Sequence, residues 1–451
     1  MKQKNSFSGK IGFILAAAGS AVGLGNLWRF PYLAAKYGGG SFLLIYLILT
    51  VTFGFALMVT EIAIGRKTGK SALYAFKELN RKWEFIGVLA SAVPIIILPY
   101  YCVIGGWVIK YAFVYLTGSA SEAVADDYFS GFISQTGEPI LWFCIFILAT
   151  TAVILLGVNK GIENISKILM PLLVVLSIVI AVFVITRPGA KDGIIYYLKP
   201  ELSRLSANTF LAALGQLFYS MSLAMGIMIT YGSYLPKDED IESSVRNIEV
   251  FDTGIAFLAG LMIVPSVFVF SGGDQTALQK GPTLMFITLP KVFDSMKGGH
   301  IIGAVFFVLV LFAALTSSIS LLETVVSIFV DRFGKSRKMV TLCVTIYAIL
   351  MAIPSSLGFG VWSDININGL SILDMFDFVS NSVLMPIVAL LTCIFVGFIV
   401  KPKAITDEVL SSSERFKSEK LYVILIKYVS PVLLILILIS SILDVIGINK
   451  L

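Results

Sequence analysis

Runs of apolar residues long enough to cross a lipid bilayer recur along the whole chain. They lie near residues 11–35, 41–64, 86–116, 140–158, 165–186, 207–234, 248–271, 300–330, 339–355, 370–399 and 421–446. About 20 residues of helix span the hydrocarbon, where a helix can return every backbone hydrogen bond to itself. The chain is therefore predicted to be an all-α, polytopic membrane protein. Composition agrees, with 57% hydrophobic residues, 14% charged residues and one histidine in 451, far from soluble averages. One membrane domain over residues 1–451 is expected in place of several soluble ones.

Eleven spans put the termini on opposite sides. Arg66, Lys67, Lys70, Lys77, Arg81 and Lys82 follow the second span, whereas the gap after the third holds Glu122, Asp126, Asp127 and Glu138 without Lys or Arg. Basic loops stay cytoplasmic, so the N-terminus is predicted cytoplasmic and the C-terminus extracytoplasmic, in a cell membrane. Arg332, Lys335, Arg337 and Lys338, and later Lys401 and Lys403, agree; Arg187, Lys191, Lys199 and Arg204 depart from the pattern. Cations confined to short gaps argue against nucleic-acid binding despite the net charge of +6. Cys102, Cys144, Cys343 and Cys393 all fall inside apolar runs and read as small membrane-buried thiols, not disulfides or metal ligands. His300 lies at a span edge, with neither a zinc-protease His-Glu pair nor a nucleophile elbow in the chain, so no enzyme is expected.

Two spans resist a continuous helix: Gly19-Ser20-Ala21-Val22-Gly23-Leu24-Gly25-Asn26 interrupts the first and Ser220-Met221-Ser222-Leu223-Ala224-Met225-Gly226 the sixth. Backbone unwinds at membrane depth only where it lines a cavity or binds something. Each break heads a set of five spans, about 11–186 and about 207–399, leaving an extra helix at about 421–446. An odd number of helices inverts the second set, and inverted repeats with broken lead helices are the signature of a secondary transporter with a midplane site. A channel or a transport-inactive amino-acid sensor is the rival from another class.

The residues at the breaks suit small charged ligands. Unwound carbonyls at Gly19, Ala21 and Val22, with the Asn26 side-chain oxygen, are hard donors of the kind sodium accepts. Freed amides at Leu24 and Gly25, beside the positive end of the next half-helix, suit a carboxylate. In the eighth span Ala313, Thr316 and Ser317 place a carbonyl and two hydroxyls on one face, where a second cation fits; such hydroxyls also bond back to their own i−4 carbonyls. Ionisable residues within spans cost about 2.5–3.5 kcal/mol each on insertion scales, and Glu61, Lys110, Asp252, Glu323, Asp374 and Asp377 are the candidates. Asp252 and Asp377 have small or polar neighbours that favour function; Lys110 and Glu323 have no assigned role.

At these residues the chain resembles the neurotransmitter:sodium symporter family, its bacterial amino-acid transporters in particular. The stretch GSAVGLGNLWRFPYLAAKYGGGSF carries the resemblance, followed in order by EIAIGR, QLFYSMSLAMG, ITYGSY, FITLP, AALTSSIS and DMFDF. It implies a LeuT-like 5+5 inverted repeat with discontinuous helices 1 and 6. It implies one sodium site of Ala21, Asn26, Ser220 and Asp252 with the substrate carboxylate, and another of Gly19, Val22, Ala313, Thr316 and Ser317. The implied substrate contacts are Leu24, Gly25 and Tyr101 for the carboxylate; Ala21, Tyr219, Ser222 and nearby carbonyls for the amino group; and Ile97, Met225, Ser317 and Leu321, with Tyr219 and Ser222, for the side chain, with Ser220 also among the substrate residues. The implied outer gate is Arg29 with Asp377 under Tyr219. The inner gate is Asp331 with Tyr234 and a basic residue, where the family's Arg and Trp align with Lys4 and Phe7. Glu61 would tie the second span to the unwound sixth. Gly161 and Pro171 match a spacing linked to unwinding of the fifth helix, although a static kink explains them equally.

Chloride-dependent members carry asparagine at the Asp252 position and serine one turn later, where this chain has Ala256. A fixed carboxylate can supply the negative charge that two sodium ions near a zwitterion require, so chloride independence is expected. The expected function is sodium-coupled uptake of a neutral, hydrophobic or aromatic L-amino acid, with two bound Na+, in a lipid bilayer and compatible with a homo-oligomer. A carrier of another small amine or osmolyte is the alternative.

Overall fold

The computed structural model describes residues 6–271, 283–366 and 369–445. Among them, nine helices are long and apolar enough to cross a membrane, and the pair Lys10–Ala21 and Gly25–Lys36, bent by 54°, makes a tenth crossing. The remaining expected span, the sixth, is split into Ala207–Ser220 and Ile227–Gly232. Among the described residues the chain is thus a helical membrane protein with helices 1 and 6 discontinuous, as the resemblance implies. Span order matches the hydropathy reading; the ends do not always. The seventh helix runs Ile241–Ser271 and the fifth crossing Val158–Ile185, each starting seven residues before the apolar runs at 248 and 165. Hydropathy marks the hydrocarbon boundary, and a helix can continue past it through polar sequence such as Ile241–Asn247.

The breaks are stabilised across the chain. Val22 turns extended (φ −73°, ψ 99°) and ends the first half-helix. In the sixth span Ser222 and Ala224 adopt left-handed φ of 53° and 59°, at roughly 1–3 kcal/mol each for residues with a Cβ. Neighbouring side chains offset that cost: Ser222 Oγ donates to the Ser20 carbonyl (2.9 Å) and the Ala224 N–H donates to Glu61 Oε1 (2.6 Å). Glu61, from the second span, therefore holds the unwound backbone as expected.

The half-helix Lys10–Ala21 packs against the fifth, seventh and eighth spans, and Gly25–Lys36 against the seventh and the first half of the sixth. Ile227–Gly232 crosses the second span closely enough that a Cβ on Gly65 or Gly232 would strike the facing backbone of Ile229 or Ile62. Small residues allow that approach where hydrophobicity alone gives no drive between helices. Lys110 is now accounted for: its ammonium bonds Glu138 (2.5 Å) and lies 5.8–5.9 Å from the rings of Tyr128, Phe132 and Trp142. Asp374 sits in the first turn of its helix, its N–H bonded to Ser371 Oγ (3.2 Å), so it is part of a cap and not a mid-membrane charge. Two of the cations that depart from the charge pattern are partnered locally, Arg187 over Phe183 and Arg204 beside Glu201.

Candidate functional site

The two breaks face one narrow central cavity of about 40 Å³, well below the ~300–1,000 Å³ of open small-molecule sites. Every substrate residue implied by the resemblance lines it, Ala21, Leu24 and Gly25 through Ser317 and Leu321. Tyr101 is 5% exposed; its hydroxyl lies beside Ser317 and the Leu24 backbone but makes no well-formed hydrogen bond among the described residues. A buried hydroxyl left without a partner costs about 1–3 kcal/mol and points to a polar group that belongs there. Gly23 leaves the space open, since a Cβ would lie 2.8 Å from Ser317 Oγ.

Four residues of the first implied cation site converge. Asn26 Nδ2 donates to Asp252 Oδ1 (2.8 Å), Ser220 Oγ donates to the same oxygen (2.9 Å), and Ala21 and Asn26 line the cavity beside them. Asp252 is fully buried, and Tyr46 from the second span donates to its other oxygen (3.1 Å). The second implied set meets where the first half-helix lies on the eighth span. Ser317 Oγ crosses to the carbonyls of Ser20 (3.1 Å) and Val22 (3.4 Å), and a Cβ on Gly19 would touch Thr316. Thr316 Oγ1 instead bonds its own helix at Phe312 and Ala313 (3.1 and 3.0 Å), the back-bonding alternative.

Tyr219 separates the central cavity from an outer one; it lines both. Arg29 stacks on its ring at 5.1 Å. Arg29 and Asp377 face the same outer cavity, with Asp377 bonded to Tyr100 (3.1 Å) and Asn381 (2.6 Å) and not to Arg29. At the opposite end the geometry differs from the implied gate. Tyr234 donates to Glu323 (2.8 Å), which also pairs with Arg337, while Asp331 accepts the Ser71 N–H (2.8 Å). Lys4 lies outside the described residues. Phe7 fills the place of the usual tryptophan, its ring 5.6–6.3 Å from Phe13, Tyr231 and Tyr234. The fifth span is helical through Pro171 and begins with a wide turn, Val158–Glu163, that contains Gly161.

Sequence reasoning missed Tyr46, Gln216, Ser20 and Ile227. Gln216 Nε2 returns a hydrogen bond to the Gly25 carbonyl (2.9 Å). Its place one helical turn before Ser220 was a usable signal; Tyr46, an aromatic within an apolar run, carried none.

Comparison with known proteins agrees with the membrane-transporter class. The profile described as the Sodium:neurotransmitter symporter family matches residues 4–128 and 125–449. YhdH of Bacillus subtilis, described as an uncharacterized sodium-dependent transporter, is 36% identical over 442 residues, covering 97% of each chain. The sodium- and chloride-dependent GABA transporter 2 of Bos taurus is 26% identical, over 74% of this chain and 63% of its own. The crystal structure of MhsT in complex with L-phenylalanine superposes with a TM-score of 0.87 at 37% identity, covering 97% of this chain and 100% of MhsT.

Proposed function

This chain belongs to the sodium:neurotransmitter symporter family, and from that premise we propose that it takes up a neutral, hydrophobic or aromatic L-amino acid by sodium-coupled alternating access. The observation that carries the reading is the unpartnered, buried Tyr101 hydroxyl in a cavity walled by both breaks. A substrate carboxylate there would accept from Tyr101 and from the Leu24 and Gly25 amides at a positive half-helix end. The ammonium would face carbonyls of the two unwound segments near Ala21, Tyr219 and Ser222. Ile97, Met225, Ile227 and Leu321 supply an apolar wall, and the phenylalanine bound to MhsT supports an aromatic side chain in it.

Two sodium ions travel with the substrate in this reading. One takes Ala21, Asn26, Ser220 and Asp252 with the substrate carboxylate; the other takes Gly19, Val22, Ala313, Thr316 and Ser317, with Thr316 turning from its own helix carbonyls. Two charges moving inward gain about 2.3 kcal/mol each per 100 mV, which suffices for accumulation without covalent chemistry. Asp252 supplies the fixed negative charge, so transport proceeds equally in gluconate and chloride; strong chloride stimulation of the unmodified protein overturns that part.

The chain acts as one transport domain of the cell membrane, with repeats at about 11–186 and about 207–399, a cytoplasmic N-terminus and an extracytoplasmic C-terminus. The helix at about 421–446 is outside the repeats. Arg29, Tyr219 and Asp377 close the outer side; Tyr234, Asp331 and Lys4 with the Phe7 cluster close the inner side. Gly161 and Pro171 let the fifth helix loosen when the inner side opens. Uptake of labelled phenylalanine, leucine and tyrosine into proteoliposomes under an inward sodium gradient tests the whole reading. Accumulation that persists when potassium replaces sodium refutes it.

A further inference from the structure

We infer that Glu163 is a positioning residue that locks the N-terminal segment onto the start of the fifth span and so holds the inner end of the transport path shut. The inference rests on the alternating-access reading above and adds a residue outside its gates. Glu163 falls in the gap between two apolar runs, so its sequence gave no reason to count it among membrane charges. In the fold its side chain is 1% exposed. It accepts hydrogen bonds from the Ser8 N–H (2.8 Å), the Ser8 hydroxyl, Asn159 Nδ2 (3.3 Å) and Lys167 Nζ (2.6 Å). Asn159 and Lys167 lie one turn away on the same helix. Ser8 comes from 155 residues away and is its only partner from another part of the chain among the described residues. Gly12 makes the approach possible: a Cβ there would collide with the Glu163 carboxyl group.

The other anchors of this segment lead elsewhere. The Phe7 N–H bonds the Tyr234 carbonyl (3.2 Å), the Phe7 ring packs on Tyr231 and Tyr234, and Lys10 bonds Ser243 (2.8 Å). Those contacts tie it to the sixth and seventh spans, whereas Ser8–Glu163 ties it to the fifth. On the fifth-span side Glu163 closes the wide turn Val158–Glu163, in which the Gly161 and Ile162 N–H groups share the Gly157 carbonyl (3.0 and 3.2 Å). When the N-terminal segment leaves, Glu163 loses two donors at once and a buried carboxylate is left under-bonded, which draws water and loosens the turn beside it. Departure of residues 6–9 and opening of the fifth helix at Gly161 are therefore one coupled event.

Full-length protein in lipid nanodiscs and proteoliposomes tests this, with Glu163→Gln, Ser8→Ala, the double variant and Ser8→Thr. Glu163→Gln keeps the shape and removes the charge, so hydrogen exchange at residues 158–163 and 10–14 accelerates together by about tenfold. Half-saturating sodium and amino acid rise as well, by at most that factor, because fewer molecules occupy the inward-closed state that binds from outside. Ser8→Ala gives a smaller change in the same direction, Ser8→Thr restores wild-type behaviour, and Ser8→Ala adds nothing in the Glu163→Gln background. Additive effects of the two changes, or unchanged exchange at 158–163 in both single variants, overturn the inference. Should Glu163→Gln fail to fold, Ser8→Ala against Ser8→Thr reads the same contact from its other side. Counterflow of labelled amino acid by the wild type tests the transport reading separately, and its failure leaves the exchange comparison intact.

Discussion

Replacing Tyr101 with Phe should separate substrate binding from folding, because the hydroxyl makes no well-formed hydrogen bond among the described residues. It is buried and lacks a partner; removing it deletes an unpaired polar group and leaves the ring in place. The desolvation term is about 1–3 kcal/mol, so the substrate-free protein should melt at the same temperature as wild type or slightly higher. With substrate present the balance reverses. A hydrogen bond to a charged group contributes about 1.5–3 kcal/mol, and each ~1.4 kcal/mol is tenfold in affinity. Binding of the preferred amino acid at saturating sodium should therefore weaken by roughly 10- to 150-fold, measured by scintillation proximity or calorimetry. The corresponding decarboxylated amine, which lacks the partner, should bind both proteins equally weakly. Affinity within threefold of wild type for Tyr101→Phe, or a matching loss for the amine, would refute the assignment of the carboxylate to Tyr101.

Other contacts give further tests. Gly23→Ala puts a methyl group 2.8 Å from Ser317 Oγ in the cavity and should abolish saturable amino-acid binding while the protein still purifies as a monodisperse species. Arg337→Met strands the fully buried Glu323 and should cost about 3–5 kcal/mol, read as a large drop in melting temperature; replacing Glu323 with Met as well should recover most of it. Sodium should raise the melting temperature with a logarithmic concentration dependence and potassium should not, because only an ion that binds the folded state stabilises it. Asp252→Asn should stop uptake in gluconate medium, with partial recovery in chloride if the fixed charge is its role.

The sequence by itself determined the membrane class, the number and order of the spans and the position of both breaks. Hydrocarbon supplies no hydrogen bonds, so a helix there must be long and apolar, and a Gly-rich or Ser-rich interruption must be answered by a ligand or a neighbour. The same rule picked out Glu61 and Asp252, costly enough at membrane depth to need partners. Partner identity was decided only by the tertiary structure. Asp252 meets Tyr46 across 206 residues, Ala224 meets Glu61 across 163, and Tyr234 chooses Glu323 over Asp331. No periodicity encodes such pairings, since they depend on which helix faces are turned together. Glu163, in the gap between two apolar runs, escaped notice for a related reason: hydropathy sees where lipid ends, while burial is set by the protein that packs there. The breaks were legible because the bilayer penalises them wherever they occur; what fills them depended on helices brought together from opposite ends of the chain.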